Sequence, residues 1–261
     1  MMGCMTILDA GILGIVEGLT EFLPVSSTGH LILASDLIGL PTTEFLKSFE
    51  IVIQLGAILA VIALYWRAFL SIEMLKRLIV AFIPTAVIGL ALYHIVKTYL
   101  LGNATIVLAS LFIGGILLIL LEYFHTEPSE AEGPSPALLS YKQSLLVGIA
   151  QAVAIIPGVS RSGATIAGGL LMGIRRAVIV EFSFLLAVPT MAAATGLDVV
   201  KNYQTFTAGD TLALIVGFVV SFIVALGAIK FFLSFVRTHT FIPFGVYRIS
   251  IAILFGLWFF L

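Results

Sequence analysis

Six uninterrupted apolar runs, at about 49–66, 78–96, 104–123, 178–197, 211–233 and 243–261, constrain this chain more than anything else in it. A helix rises 1.5 Å per residue and bilayer hydrocarbon is about 30 Å thick, so roughly 20 apolar residues make one span. The runs therefore predict six membrane-spanning helices. Composition agrees: 61% of the residues are apolar and only 10% are charged, whereas a soluble domain carries about 25% charged residues. Disorder and ordinary solubility are excluded, and 261 residues leave no room for a separate soluble domain. A net charge of −1 with scattered Lys and Arg excludes a nucleic-acid footprint. One cysteine, Cys4, cannot form an internal disulfide, and no Cys/His spacing reads as a zinc site. The first twenty residues lack a basic start and contain Asp9 and Glu17, so they read as part of the mature protein rather than a signal peptide.

Two further apolar stretches, 4–38 and 138–173, are broken in the middle by Pro, Gly and small polar residues, at FLPVSSTGH and IIPGVSRSGAT. Each reads as two half-helices. Irregular backbone at membrane depth is tolerated only where it is buried in protein or lines a watery cavity, so the breaks point to a site. Between the halves lies a hydrophilic linker, 124–137, which separates repeats at about 1–123 and 138–261. At an offset of 134, Gly14, Ile15, Val25, Ser26 and Gly29 meet identical residues at Gly148, Ile149, Val159, Ser160 and Gly163, and Glu17 meets Gln151. These identities fall on the two broken segments and indicate an internal repeat.

Charge sets the expected orientation. Arg67, Lys76 and Arg77, then Arg175 and Arg176, then Arg237 mark three loops that the positive-inside rule places in the cytoplasm. Threading six spans between them requires each broken segment to enter and leave on one side. The expected fold is thus an all-α, polytopic membrane protein with inverted-topology repeats, each half one re-entrant hairpin plus three transmembrane helices.

Ionisable residues inside bilayer segments default to functional candidates. Glu17 and Glu21 stand four apart, on one helical face, where a carboxylate pair can hold a divalent cation or share a proton. Ser26, Ser27 and Thr28 precede a new half-helix and offer hydroxyls and free N–H groups to an anion, with His30 just beyond. In the second segment Ser160, Ser162 and Thr165 surround Arg161, whose planar fork of donors suits a phosphate. Carboxylates, imidazole, hydroxyls and arginine together suit phosphoryl transfer.

The EGLTE and PVSSTGH segments, the PGVSRSGAT box and the flanking QLGAILAV, FLLAVP and PFGVYR stretches resemble the undecaprenyl-diphosphate phosphatase family, also called bacitracin-resistance proteins, over nearly the whole chain. The resemblance implies an integral membrane enzyme that hydrolyses a polyprenyl diphosphate to the monophosphate and so recycles the lipid carrier of envelope glycan synthesis. It implies a divalent cation, Mg2+ or Ca2+, and a plasma-membrane site opening toward the outer face. Carried over residue by residue, it assigns Glu17 and Glu21 as metal ligands or acid/base, His30 as proton donor or acceptor, and Arg161 as the diphosphate clamp. Ser27 stands as the covalent nucleophile, with metal-bound water as the competing attacker. Ser26, Thr28, Gly158, Ser160, Ser162 and Thr165 fall in the substrate-binding boxes. The acidic pair is not repeated in the second half, where Gln151 and Ile155 stand instead, so the two hairpins divide the labour.

Plainer roles compete at each position. The glutamates could face water at a hairpin mouth, Arg161 could snorkel to an interface, and the serines could be small packing residues. His94, His125 and His239 read as interfacial, Trp66 and Trp258 as aromatic-belt anchors, and Gly114 and Gly115 as helix-packing residues. For Arg248, pairing with Glu50 or Glu181 competes with a role near the lipid phosphate. Inverted repeats with broken helices also build transporters, so a polyprenyl-phosphate flippase is the rival function. The acidic pair with His30 favours chemistry, because a transporter needs binding groups but no proton shuttle. Prenyl chain length and oligomeric state, including a homodimer, are unread in the sequence.

Overall fold

Two helices open with the same device at positions 134 apart. In α1 (Ile7–Thr20), Thr6 Oγ1 accepts the Asp9 N–H at 3.1 Å while the Asp9 carboxylate accepts the Thr6 N–H at 2.8 Å. In α6 (Tyr141–Ala152), Ser140 and Gln143 do the same at 3.2 and 2.9 Å. Such reciprocal caps satisfy donors that the first helical turn leaves unpaired. The register continues downstream: α2 (Ser27–Leu37) and α7 (Arg161–Leu171) begin and end at equivalent positions. Gly39 and Gly173 follow them at φ +73° and +71°, the left-handed stop that glycine adopts without strain. This computed structural model describes residues 5–100, 103–127, 139–202 and 211–260. Cys4 and the linker from residue 128 onward lie outside those described.

The six apolar runs are six long helices, α3 (Glu44–Tyr65), α4 (Ile72–Ile95), α5 (Ala104–Phe124), α8 (Arg176–Asn202), α9 (Thr211–Val236) and α10 (Ile242–Phe260), all long and apolar enough to cross a membrane. Two start earlier than the runs alone indicate. Thr43 accepts the Leu46 N–H at 3.1 Å and starts α3 at Glu44 rather than near 49. Ser71 Oγ accepts the Met74 N–H at 3.3 Å at the start of α4, which begins at Ile72 rather than near 78. Charged first turns conceal helix starts from a hydropathy window, because Glu44 and Lys47 in one helix and Glu73, Lys76 and Arg77 in the other lower the mean hydropathy ahead of the apolar run. Among the described residues there is no strand, and the chain is a multi-pass, all-α membrane protein.

The short helices are wedged among the long ones. α1 lies along α9 and α6 along α4, α5 pairs with α10, and α3 packs against both α8 and α9. Small residues set these approaches. A Cβ on Gly14 would stand 2.7 Å from the Gly217 carbonyl oxygen of α9, and one on Gly148 would stand 2.0 Å from the Ala81 carbonyl oxygen of α4. Backbone at that distance cannot yield without parting the helices. Gly148→Ala is therefore expected to destabilise the fold by about 1–3 kcal/mol, the range for overpacking. Its check is the thermal unfolding midpoint in detergent, and an unchanged midpoint would refute the close approach. Where α4, α6 and α8 converge, the Gln151 amide donates to the Thr85 hydroxyl at 2.9 Å and the Thr190 hydroxyl at 3.1 Å. The central core carries Phe22, Phe182, Phe184 and Phe232, with Phe22 and Phe184 edge to face at 5.2 Å.

Candidate active site

The break in the first hairpin is a turn from Glu21 to Ser26. Pro24 has no N–H with which to extend α1, and Ser26 takes φ 71° and ψ 93°, the one positive φ at a residue other than glycine among the described residues. A conformation of this kind costs of order 1–3 kcal/mol and persists only where its surroundings hold it. The Ser26 side chain makes no capping hydrogen bond. Instead its carbonyl is gripped twice by His30, whose backbone N–H donates at 3.2 Å and whose Nδ1 donates at 2.8 Å.

The second break runs from Val153 to Ser160. Gly158 adopts φ +88°, and a Cβ there would meet the Val107 carbonyl oxygen of α5 at 2.5 Å. Glycine is thus required twice over, for its conformation and for its room. Ser160 starts α7 by accepting the Gly163 N–H at 3.0 Å. Ser162 donates to the Leu23 carbonyl at 2.7 Å and so ties the second turn to the first. Thr165 lies 2.6 Å from the Ser183 hydroxyl of α8 and donates back to its own helix.

Where the turns cross, the residues of both boxes form one linked set. Arg161 Nη2 donates to Glu21 Oε1 at 2.7 Å, and Nη1 donates to the Ser183 carbonyl at 3.0 Å. The other Glu21 oxygen accepts a short hydrogen bond from the Ser27 hydroxyl. A hydroxyl, a carboxylate and a guanidinium therefore stand in series, with the residue that caps the end of α1 supplying the acid, α2 the hydroxyl and α7 the cation. Arg161 Nε has no hydrogen-bond partner among the described residues. Behind Glu21 lies Glu17, fully buried (0% exposed) beside the neighbouring carboxylate, and among the described residues no N–H or O–H donor outside that pair reaches either of its oxygens.

A cavity of about 270 Å3 opens on this set and is lined by Glu21, Ser26, Ser27, Thr28, Gly158, Ser160 and Arg161. Glu17, His30, Ser162 and Thr165 stand behind its wall. Both ring nitrogens of His30 are engaged, Nδ1 by the Ser26 carbonyl and Nε2 by the Tyr247 hydroxyl at 2.8 Å. The polar and sulfur-bearing lining residues beyond the sequence motifs are Gln54 of α3 and Met191 of α8. A glutamine in the apolar run IVIQLG was the available signal for the first. Nothing local marks the second, whose sulfur lies 3.6 Å from Arg161 Nη2.

Arg248 does not make the pairing with Glu50 or Glu181 that was one of its two expected roles. Its guanidinium, 3% exposed, donates to four backbone carbonyls instead, at Leu111 (3.3 Å), Ser110 (3.1 Å), Pro24 (3.2 Å) and Gly158 (3.2 Å). Two of these carbonyls, Pro24 and Gly158, lie in the irregular turns, and two, Ser110 and Leu111, lie within α5, so one arginine joins both breaks to that helix. Gly114 makes the room, since a Cβ there would fall 2.2 Å from Arg248 Nη2, while Gly115 serves helix packing against the Gly245 carbonyl at 2.7 Å. On the far side of Val159 and Ser160 lies a second, largely apolar cavity of about 460 Å3, between α5, α6 and α7.

The carboxylate pair has the chemistry of a hard-cation site. A divalent Mg2+ or Ca2+ takes one or two carboxylates and completes its shell with phosphate oxygens and water, and the unpartnered oxygens of Glu17 are the acceptors such an ion would satisfy. Among the described residues no group of three or more His, Cys, Asp or Glu is placed to hold a metal alone. Substrate oxygens would have to complete the shell.

Residues 10–254 match the family described as bacitracin resistance protein BacA. An undecaprenyl-diphosphatase of Sulfurihydrogenibium sp. is 54% identical over 255 residues, covering 98% of this chain and 100% of that protein. Those of Wolinella succinogenes and Aquifex aeolicus are 52% identical over 252 residues and 48% over 256, covering 96% and 98% of this chain and 97% and 99% of theirs.

Proposed function

The chain belongs to the bacitracin resistance protein BacA family, and from that premise we propose how its crossed hairpins hydrolyse undecaprenyl diphosphate to undecaprenyl monophosphate and inorganic phosphate. The observation that carries the reading is the series Ser27, Glu21, Arg161 on one cavity wall. It satisfies the geometric requirement for an activated nucleophile: a hydroxyl bonded to a base that a third group orients.

The Ser27 oxygen attacks the terminal phosphorus as its proton passes to Glu21. A Ser27 O–P bond forms, the bond from phosphorus to the bridging oxygen breaks, and undecaprenyl monophosphate departs with the bridging oxygen and its electron pair. Glu21 hands that proton to the departing monophosphate and, a carboxylate again, takes a proton from the water that attacks the phosphoserine; the Ser27 O–P bond breaks, Glu21 returns the proton to the Ser27 oxygen, and inorganic phosphate leaves. Arg161 lines the cavity and neutralises charge on the transferring group, the dominant requirement of phosphoryl transfer. Thr28 and Ser26, also on the wall, are placed to donate to phosphate oxygens. Glu17 and Glu21 would hold a divalent cation, which when bound neutralises diphosphate charge and orients its oxygens. The adjoining apolar cavity suits the first isoprene units. We further propose that the halves form an inverted repeat in the plasma membrane with the site opening to the outer face. Capping boxes 134 residues apart, matching bounds of α2 and α7, and equivalent glycines on α1 and α6 support the repeat, and the basic loops at Arg67–Arg77, Arg175–Arg176 and Arg237 support the orientation.

The test is inorganic phosphate release from undecaprenyl diphosphate by purified protein in detergent. Release should fall about tenfold or more with a chelator and return with Mg2+ or Ca2+. Chelator-insensitive release would remove the cation from the reading. Tight lipid binding with no release, and lipid phosphate crossing vesicle membranes, would bring the transporter forward.

A further inference from the structure

We propose that Tyr247 is a positioning residue for this reaction, acting through His30 on the turn that carries Ser27. The inference rests on the reading of Ser27 and Glu21 as the reacting pair. It starts from hydrogen-bond logic. A carbonyl can only accept, so His30 Nδ1, 2.8 Å from the Ser26 carbonyl, carries a proton. In the neutral ring Nε2 is then an acceptor, and the Tyr247 hydroxyl 2.8 Å away donates to it. Tyr247 thus selects the tautomer that can grip Ser26. The two rings lie nearly parallel, 8° apart with centroids at 5.5 Å, which fixes the imidazole plane as well as its proton.

Ser26 is where that grip matters. It holds a positive φ without a side-chain cap, and the residue after it is Ser27, whose hydroxyl must face Glu21. Relaxing Ser26 to an ordinary φ would rotate the start of α2 and carry Ser27 off its acceptor. Tyr247 also sits beside Arg248, which takes the Pro24 carbonyl at 3.2 Å. α10 therefore holds the first turn at two points, one on either side of Val25. The tyrosine ring is 41% exposed while its hydroxyl pairs inward, the reverse of a belt residue that offers its hydroxyl to water.

Tyr247→Phe keeps the stacked ring and removes only the donor. Its kcat for phosphate release should fall on the order of tenfold, as is common when the partner orienting a site histidine is removed, with KM within about twofold. The same substitution in a His30→Ala background should have no further effect, because the path it acts through is gone. Isotope-labelled imidazole NMR should show His30 protonated on Nδ1 alone in the parent, with the Nε2–H tautomer gaining population in Tyr247→Phe. A wild-type kcat in Tyr247→Phe, or an equal loss in the His30→Ala background, overturns the inference. Ser27→Ala separates the two levels. Lost turnover there with uncoupled Tyr247 and His30 defeats this inference alone, whereas wild-type turnover in Ser27→Ala defeats the underlying reading and this inference with it.

Discussion

Arg161→Ala is expected to lower phosphate release by about 10³-fold or more, the scale on which an arginine serves a phosphoryl transition state. The protein should still insert and purify. The guanidinium lines the cavity, and its side chain is only 14% exposed, so its charge acts where water screens it poorly. Two contacts aim it. Glu21 takes Nη2 at 2.7 Å and the Ser183 carbonyl takes Nη1 at 3.0 Å, while the Phe22 ring lies 5.8 Å from Cζ. Lysine keeps the charge but cannot serve two acceptors and a phosphate from one plane, so Arg161→Lys should recover no more than about tenfold of the loss. Glu21→Gln removes the proton acceptor of Ser27 while keeping its shape, and should fall as far as Arg161→Ala. Because the three groups act as a unit, the double variant should be scarcely worse than either single one. Initial rates of phosphate release, with unfolding midpoints measured alongside, decide the matter. Losses that multiply toward about 10⁶-fold would show that Arg161 and Glu21 act independently, against the series proposed here.

The parts of this architecture that were legible in the sequence are those written in side-chain character over many neighbouring positions. Long apolar runs gave the spans, and the prolines in FLPVSST and IIPGVSR gave the breaks, because hydropathy and missing N–H groups are properties of the residues themselves. The meeting of Glu21 with Arg161 was legible as a demand, since an arginine at membrane depth needs an anion, although 140 residues separate them. Arg248 raised the same demand and met it differently. Its four acceptors are backbone carbonyls, which every residue possesses, so no residue type announces them. Pro24 and Gly158 stand in irregular turns and Ser110 and Leu111 within α5, so only the folding together of three separate segments makes such a partner set available. Ser162 and Thr165 show the complementary difficulty. Their hydroxyls stand in the same box as Arg161, yet one faces the Leu23 carbonyl and the other Ser183, so a box in sequence is divided by helix faces in space. The tie between His30 and Tyr247 joins positions 217 apart through a neutral hydrogen bond, which no charge rule foretells.

Breaking the Glu122–Arg176 pair should cost up to about 3–5 kcal/mol, the range for leaving one partner of a buried ion pair alone, with the full loss in the variant that strands Glu122. Its side chain, 0% exposed, receives Arg176 in a forked pair, Nε to Oε1 at 3.0 Å and Nη2 to Oε2 at 2.7 Å. Oε1 also accepts the Phe241 N–H at 3.1 Å, just ahead of the first turn of α10. One carboxylate thus closes the end of α5 onto the starts of α8 and α10. The two partners are not equivalent. In Glu122→Ala, Arg176 retains Glu127 on Nη1 at 2.5 Å, whereas in Arg176→Ala a buried carboxylate keeps only the Phe241 N–H. Arg176→Ala should therefore lower the unfolding midpoint further than Glu122→Ala, and Glu122→Gln, which still accepts from Phe241, should lower it least. For a chain of this size the alanine variants correspond to shifts of roughly 10 °C. The latch lies about 17 Å along α5 from Leu111, where Arg248 secures the crossed turns. Turnover per folded molecule should therefore stay at the parent level in all three variants. Equal midpoints across the series would mean that Glu127 and water carry Arg176 unaided. A loss of turnover without a loss of stability would mean that the closure of α5, α8 and α10 is transmitted to the turns.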